Sequence, residues 1–72
     1  MQTITIHTEF IKLQDLLKFA DITGSGGEAK VLIQDGQVLV DGEPCLQRGR
    51  KIRPGNIVPF QHQSYCVAYA DP

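Results

Sequence analysis

Tryptophan is absent from this chain, methionine occurs once and cysteine twice, and aromatics are confined to three Phe and two Tyr among 72 residues. So few aromatics leave little for single-stranded bases to stack on; Tyr65 and Tyr69 are the obvious candidates, and strand packing is the expected role of both. Two cysteines cannot build a disulfide scaffold. Cys45 and Cys66 also lack the paired spacing of a zinc site, with only His7 and His62 to assist them. We expect no metal and no cofactor, and read the two thiols as small, reduced, partly buried residues in adjacent strands.

Long apolar runs are missing as well. No segment approaches the roughly 20 apolar residues of a membrane span. The start, MQTITIHTEF, has neither the basic nor the apolar region of a signal peptide, so a cytoplasmic location and no membrane partner are expected. Phosphate-loop, dinucleotide and zinc-protease patterns are absent. Ser64 stands near His62 without an orienting acid close in sequence, a weak basis for catalysis. A chain this short buries only about 60 % of the surface its unfolded form exposes, which leaves little room for both a core and a deep cleft. We therefore expect one domain over residues 1–72, not an enzyme, with no small-molecule substrate and acting as a monomer.

A net excess of positive charge is also lacking, since the formal charge is −1. Its distribution is uneven, however. Residues 1–43 carry three basic and seven acidic side chains, a balance of −4; residues 44–72 carry four basic and one acidic, a balance of +3. Between Glu43 and Asp71 there is no acid, and Arg48, Arg50, Lys51 and Arg53 lie close together. Such a protein can present a positive patch despite an acidic isoelectric point. Guanidinium groups suit phosphate because their planar fork makes paired hydrogen bonds. Gly49 would let a phosphate backbone come near.

Thr3 to His7 alternates polar and apolar residues and reads as an edge strand. Phe10, Leu13, Leu16, Leu17 and Ala20 keep helical spacing, which predicts a helix over about Glu9 to Ala20 with Thr8 as its N-cap. Ser25 followed by Glu28 is a capping box: the hydroxyl accepts from the third amide and the carboxylate reaches back to the cap amide. A second helix over about Gly26 to Asp35 follows, with Ala29, Leu32 and Ile33 on its apolar face and Gly36 where it stops. Gly26 and Gly27 allow a close neighbour. Tight packing beneath the cap is favoured over a phosphate on free amides, because Asp21 and Glu28 would repel one. Val38 to Val40 is a short strand, and Asp41-Gly42 predicts a type I′ hairpin turn. Leu46 to Lys51 is a loop anchored by Ile52, and Arg53 to Asn56 is a turn. Ile57 to Phe60 is a strand whose proline marks an edge. Gln61 to Ser64 is a turn, Tyr65 to Tyr69 a last strand, and Asp71-Pro72 a frayed tail. The order describes an α+β domain: a strand, two packed helices, then a small bent antiparallel sheet.

This set resembles the S4 RNA-binding domain and its αL motif, two short helices followed by a bent sheet. The resemblance rests on Lys12-Leu13, Leu16-Leu17 and Ala20, then Ser25, Ala29, Leu32-Ile33 and Gly36, then Val38, Val40, Asp41 and Gly42. The string SGGEAKVLI, GQVLVDGE, RGRKIRPGN is similar to the small stand-alone bacterial branch of that family, the YbcJ-like proteins. It spans roughly Phe10 to Phe60. The resemblance implies a non-catalytic protein that binds structured RNA, duplex or stem-loop, with ribosomal RNA or the ribosome as a candidate partner. The rival is a protein adapter that keeps the fold without RNA binding. Carried over by position, the RNA-contacting residues are Arg48, Arg50, Lys51 and Arg53, with Lys12 and Lys30 assisting from the helices. Two positions depart from the family pattern. Gln14 stands near where many members carry an acid, and Asp41 stands where asparagine is usual, adding negative charge at the hairpin tip.

Overall fold

The computed structural model of the chain describes residues 1–70, so the expected frayed tail at Asp71-Pro72 lies outside the described residues. The elements in chain order are β1 (Gln2–Ile6), β2 (Ile11–Lys12), α1 (Leu13–Phe19), α2 (Gly26–Gln34), β3 (Leu39–Val40), β4 (Glu43–Pro44), β5 (Lys51–Ile52), β6 (Ile57–Phe60) and β7 (Gln63–Tyr69). They form three small sheets: β1-β7-β6, β2-β5 and β3-β4.

The first strand lies at an edge, as its alternation predicts, but it pairs parallel to β7, with Ile4 opposite Val67. The sheet is thus mixed, not antiparallel throughout; β6 and β7 are its antiparallel pair. Parallel neighbours need a long crossover. Here everything between β1 and β7 supplies it, and the helices are part of that connection. The last strand begins at Gln63, so Ser64 stands in it and the turn is shorter than its sequence suggests.

One core gathers Leu13, Leu16 and Leu17 of α1, Ala29 and Ile33 of α2, and Val38, Ile52, Val58 and Val67 from the strands and loops. Leu32 packs against this core only half-buried. Both cysteines are free: Cys45 is buried just after β4, and Cys66 is half-buried in β7, so they do not share neighbouring strands.

The second helix is set by its own sequence. Ser25 Oγ accepts from the Glu28 amide at 3.2 Å. The Glu28 carboxylate reaches one residue past the cap, accepting from the Gly24 amide at 2.9 Å, not from Ser25. Its C-terminus is a Schellman motif, with Gly36 at φ 77° and the Gln37 amide donating to the Leu32 carbonyl. The first helix ends the same way, but with Asp21 at φ 60° in the left-handed position. Gly26 has no neighbour where a Cβ would stand and Gly27 meets only Ser25 Oγ at 3.8 Å, so the expected tight packing beneath the cap is absent.

The start of α1 differs from its sequence reading. Thr8 is no cap: its hydroxyl donates to the Phe10 carbonyl, and Phe10 lies outside the helix. Lys12 is extended at φ −70°, ψ 145°, and no side chain caps α1. Residues 11–12 are instead drawn into a ladder with β5, which buries Ile11 against Ile52. Helical spacing placed Phe10 in phase with Leu13. Burial of Ile11 across the ladder takes precedence over that local pattern.

Candidate nucleic-acid interface

The residues from Cys45 to Arg50 form a loop that lies against the beginning of α1. The Leu13 amide donates to the Arg50 carbonyl at 2.9 Å and the Gln14 amide to the Arg48 carbonyl at 3.0 Å. Two amides that a helix start leaves without intrahelical partners are thereby satisfied by main chain from the basic segment. The loop is fixed by its backbone and by the buried Cys45, and the side chains of residues 46–50 are left exposed. Ile52, fully buried, anchors it as expected.

Arg48, Arg50, Lys51 and Arg53 are all exposed, as are Lys12 and Lys30. Among the described residues the single ion pair joins Lys18 to Asp15, so none of the six has a carboxylate partner. Lys12 and Lys51 are direct cross-strand partners in the β2-β5 ladder. Like charges placed directly opposite destabilise a sheet pair, which makes this a place where an anion would be welcome. Lys51 Nζ stands 4.9 Å and the Arg53 guanidinium 5.7 Å from the centre of the Phe10 ring. Both cations are drawn to the same aromatic ring. Phe10, which helical spacing put on α1, joins this basic cluster. Its aromatic character next to a cation-rich ladder was the available signal, but the pairing of residues 11–12 with 51–52 was needed to use it.

The geometry thus joins Lys12, Lys51, Arg53 and Phe10, and sets Arg48 and Arg50 beside them at the start of α1. Lys30 sits on α2, and no hydrogen bond, ion pair or ring contact links it to the others.

Asp41 has a role its charge did not suggest. It takes the left-handed conformation of the hairpin turn at φ 51°, ahead of Gly42 at φ 87°. Its carboxylate accepts from the Ile57 amide at 2.9 Å and from Asn56 Nδ2 at 2.7 Å. Asn56 in turn accepts from the Arg53 amide at 2.7 Å. The hairpin tip is therefore clamped to the turn that follows Arg53. A carboxylate offers one acceptor oxygen to each of the two donors, where asparagine has a single oxygen.

A family model, the S4 domain, matches residues 4–68. The chain belongs to the S4 domain family. Within the family it is similar to the probable ribosome maturation protein RlbA of Bacillus subtilis, at 45 % identity over 58 residues, covering 81 % of this chain and 82 % of that one. It is also similar to YbcJ of Escherichia coli, a putative RNA-binding protein, at 41 % identity over 57 residues, covering 79 % and 81 %. The solution structure of YbcJ, described as revealing an αL motif involved in RNA binding, matches with a TM-score of 0.70 at 36 % identity. That match covers 94 % of this S4 domain and 87 % of YbcJ. The small S4-like, YbcJ-like character and the α+β αL fold stand on these likenesses together.

Proposed function

We propose that this S4 domain binds structured RNA without catalysing a reaction, and that its RNA is ribosomal. The observation that carries the reading is the exposed basic cluster at the start of α1, where Lys12 faces Lys51 and no carboxylate neutralises either among the described residues. An RNA-binding description for YbcJ and a ribosome-maturation name for RlbA support it. Arg48, Arg50, Lys51 and Arg53 make the principal phosphate contacts, and Lys12 and Lys30 assist. Tyr65 is buried and Tyr69 is the exposed tyrosine, so shape and phosphate contacts to a duplex or stem-loop outweigh base stacking. The protein works as a single-domain monomer in the cytoplasm, where free thiols such as Cys45 and Cys66 stay reduced.

The test is a titration against an RNA stem-loop at two salt concentrations. Each neutralised phosphate contributes a slope of about −0.7 to −0.9 in log K against log[salt], so four contacts give on the order of −3. Arg50→Ala/Lys51→Ala should flatten that slope by about 1.4 to 1.8, because two of those contacts are lost. Lys12→Ala and Lys30→Ala should do less. Single-stranded RNA of equal length should bind more weakly. Identical curves for wild type and the double variant would reject the site.

A further inference from the structure

The other end of α1 opens onto a different surface. A groove of about 580 Å³ lies between the α1-α2 connection, α2 and the β6-β7 turn, walled by Ile22, Leu32, Phe60 and Tyr65 with Asp21 and His62 at its rim. A second hollow of about 350 Å³ continues from it across the shared Ile22 and Leu32, and adds Thr23, Glu28 and Val31. The seven residues of α1 separate this surface from the basic loop by about 10 Å of helix.

Three features set the groove apart. Its walls mix apolar side chains with polar ones, and its charges are acidic: Asp21 lines the groove, Glu28 the adjoining hollow, and no Lys or Arg lines either. Two of its residues, Asp21 at φ 60° and Gln61 at φ 55°, hold left-handed conformations that side chains other than glycine rarely adopt. Thr23, 5 % exposed, has a hydroxyl with no hydrogen-bond partner, and the exposed Val31 extends the apolar surface beside it. Unsatisfied buried hydroxyls are uncommon and mark places where a partner group is missing. Rim residues Asp21, Gln61 and His62 are exposed, so the groove is open along its length and suits a chain laid across it better than an enclosed small molecule.

We propose that this groove docks a cationic peptide segment of another protein, with an apolar side chain seated between Ile22 and Leu32 and Lys or Arg beside Asp21 and Glu28. RNA does not fit, because its phosphates would meet two carboxylates. A second copy of this chain could offer Leu46 with Arg48, and that occupant would reveal itself through concentration-dependent shifts of the groove amides. The groove and the basic loop, at opposite ends of one helix, would let the domain hold an RNA and a basic protein together.

The test is a titration of the isotope-labelled protein, followed by amide chemical shifts, with three end-blocked peptides: Arg-Lys-Leu-Lys-Arg, Arg-Lys-Ser-Lys-Arg and Glu-Asp-Leu-Asp-Glu. The leucine-bearing cationic peptide should move the amides of Ile22, Leu32 and Phe60 to Gln63, and the other two should bind at least several-fold more weakly. Asp21→Asn/Glu28→Gln removes both charges while keeping residues suited to a left-handed position and a capping box, and should weaken binding about three- to tenfold at low salt. Adding an RNA stem-loop to the peptide-free protein should leave the groove amides where they are. The proposal fails if the peptide moves nothing up to about 1 mM, if the serine or acidic peptide binds equally, or if the shifts fall on Arg48 to Arg53. It also fails if RNA moves the groove amides, or if diluting the protein alone does so, which would identify a second copy as the occupant. A stem-loop titration of the same sample reports the RNA reading separately, through the basic loop.

Discussion

The two helices begin in opposite ways. The start of α2 is closed within five residues, by Ser25 Oγ on the Glu28 amide and the Glu28 carboxylate on the Gly24 amide. The start of α1 has no side-chain cap and is closed by the carbonyls of Arg48 and Arg50, which arrive from beyond both helices and the β3-β4 hairpin. A local cap stabilises one helix and nothing else. A long-range cap binds the helix and the capping loop into a single unit, so that ordering α1 also orders the cationic segment. Rigidity at the basic face therefore comes from the long-range cap: the loop's backbone is committed to the fold, and its charged side chains remain available.

The largest effect is expected at Ile52. This residue is fully buried and holds β5 against β2. Ile52→Ala should cost about 2–5 kcal/mol, the usual range for truncating a buried large aliphatic side chain. In a domain this small that loss takes up much of the total stability. Amide exchange at Leu13 and Gln14 should accelerate together with that of the Lys51 ladder, because one anchor serves both. A denaturant melt that moves by less than about 0.5 kcal/mol would show that the loop is not held through this residue.

Ser25 tests the other start. Ser25→Ala removes a cap worth about 0.5–2 kcal/mol. Exchange should quicken in the first turn of α2 and leave Leu13 and Gln14 as they were. The salt dependence of RNA binding should not change, since nothing at the Ser25 cap touches the basic loop. If Leu13 and Gln14 were also released, the two starts would not be independent and the contrast between them would dissolve.

The same contrast explains what the sequence made legible. The Ser25 cap, the Gly36 stop, the Asp41-Gly42 turn and the Ile57 to Phe60 strand are all recorded within a few adjacent residues, and each appears where expected, although Glu28 reaches the Gly24 amide and not that of Ser25. The first turn of the predicted α1, the parallel pairing of β1 with β7 and the place of Phe10 depend on partners distant in the chain. Local periodicity carries no information about them. The basic residues could be named from charge and family resemblance. Their arrangement around Phe10, and the use of Asp41 as a clamp on the Arg53 turn, required the ladder and the turn to be seen together.

The smallest effect is expected at Lys51, and its sign is informative. Lys51 faces Lys12 across the ladder that carries the long-range cap, and its ammonium stands over the Phe10 ring. A like-charge cross-strand pair lowers stability by roughly 0.2–1 kcal/mol, while an exposed cation–π contact returns about 0.5–1 kcal/mol. The two nearly offset each other in the free protein at moderate salt. Repulsion between exposed charges is strengthened when salt is removed. Lys51→Gln should therefore leave stability almost unchanged at physiological ionic strength and raise it by a few tenths of a kcal/mol at low salt, where the wild type suffers the repulsion in full. The same substitution should weaken stem-loop binding and flatten its salt slope by about 0.7 to 0.9, because one phosphate contact is lost. Melts and RNA titrations on one variant thus move in opposite directions. Lys51→Gln with lower stability at low salt would mean that the Phe10 contact outweighs the repulsion, and that Lys51 is retained for the fold. A gain in stability joined to a loss of RNA affinity would show that the paired lysines are kept at a structural cost for the anion they receive.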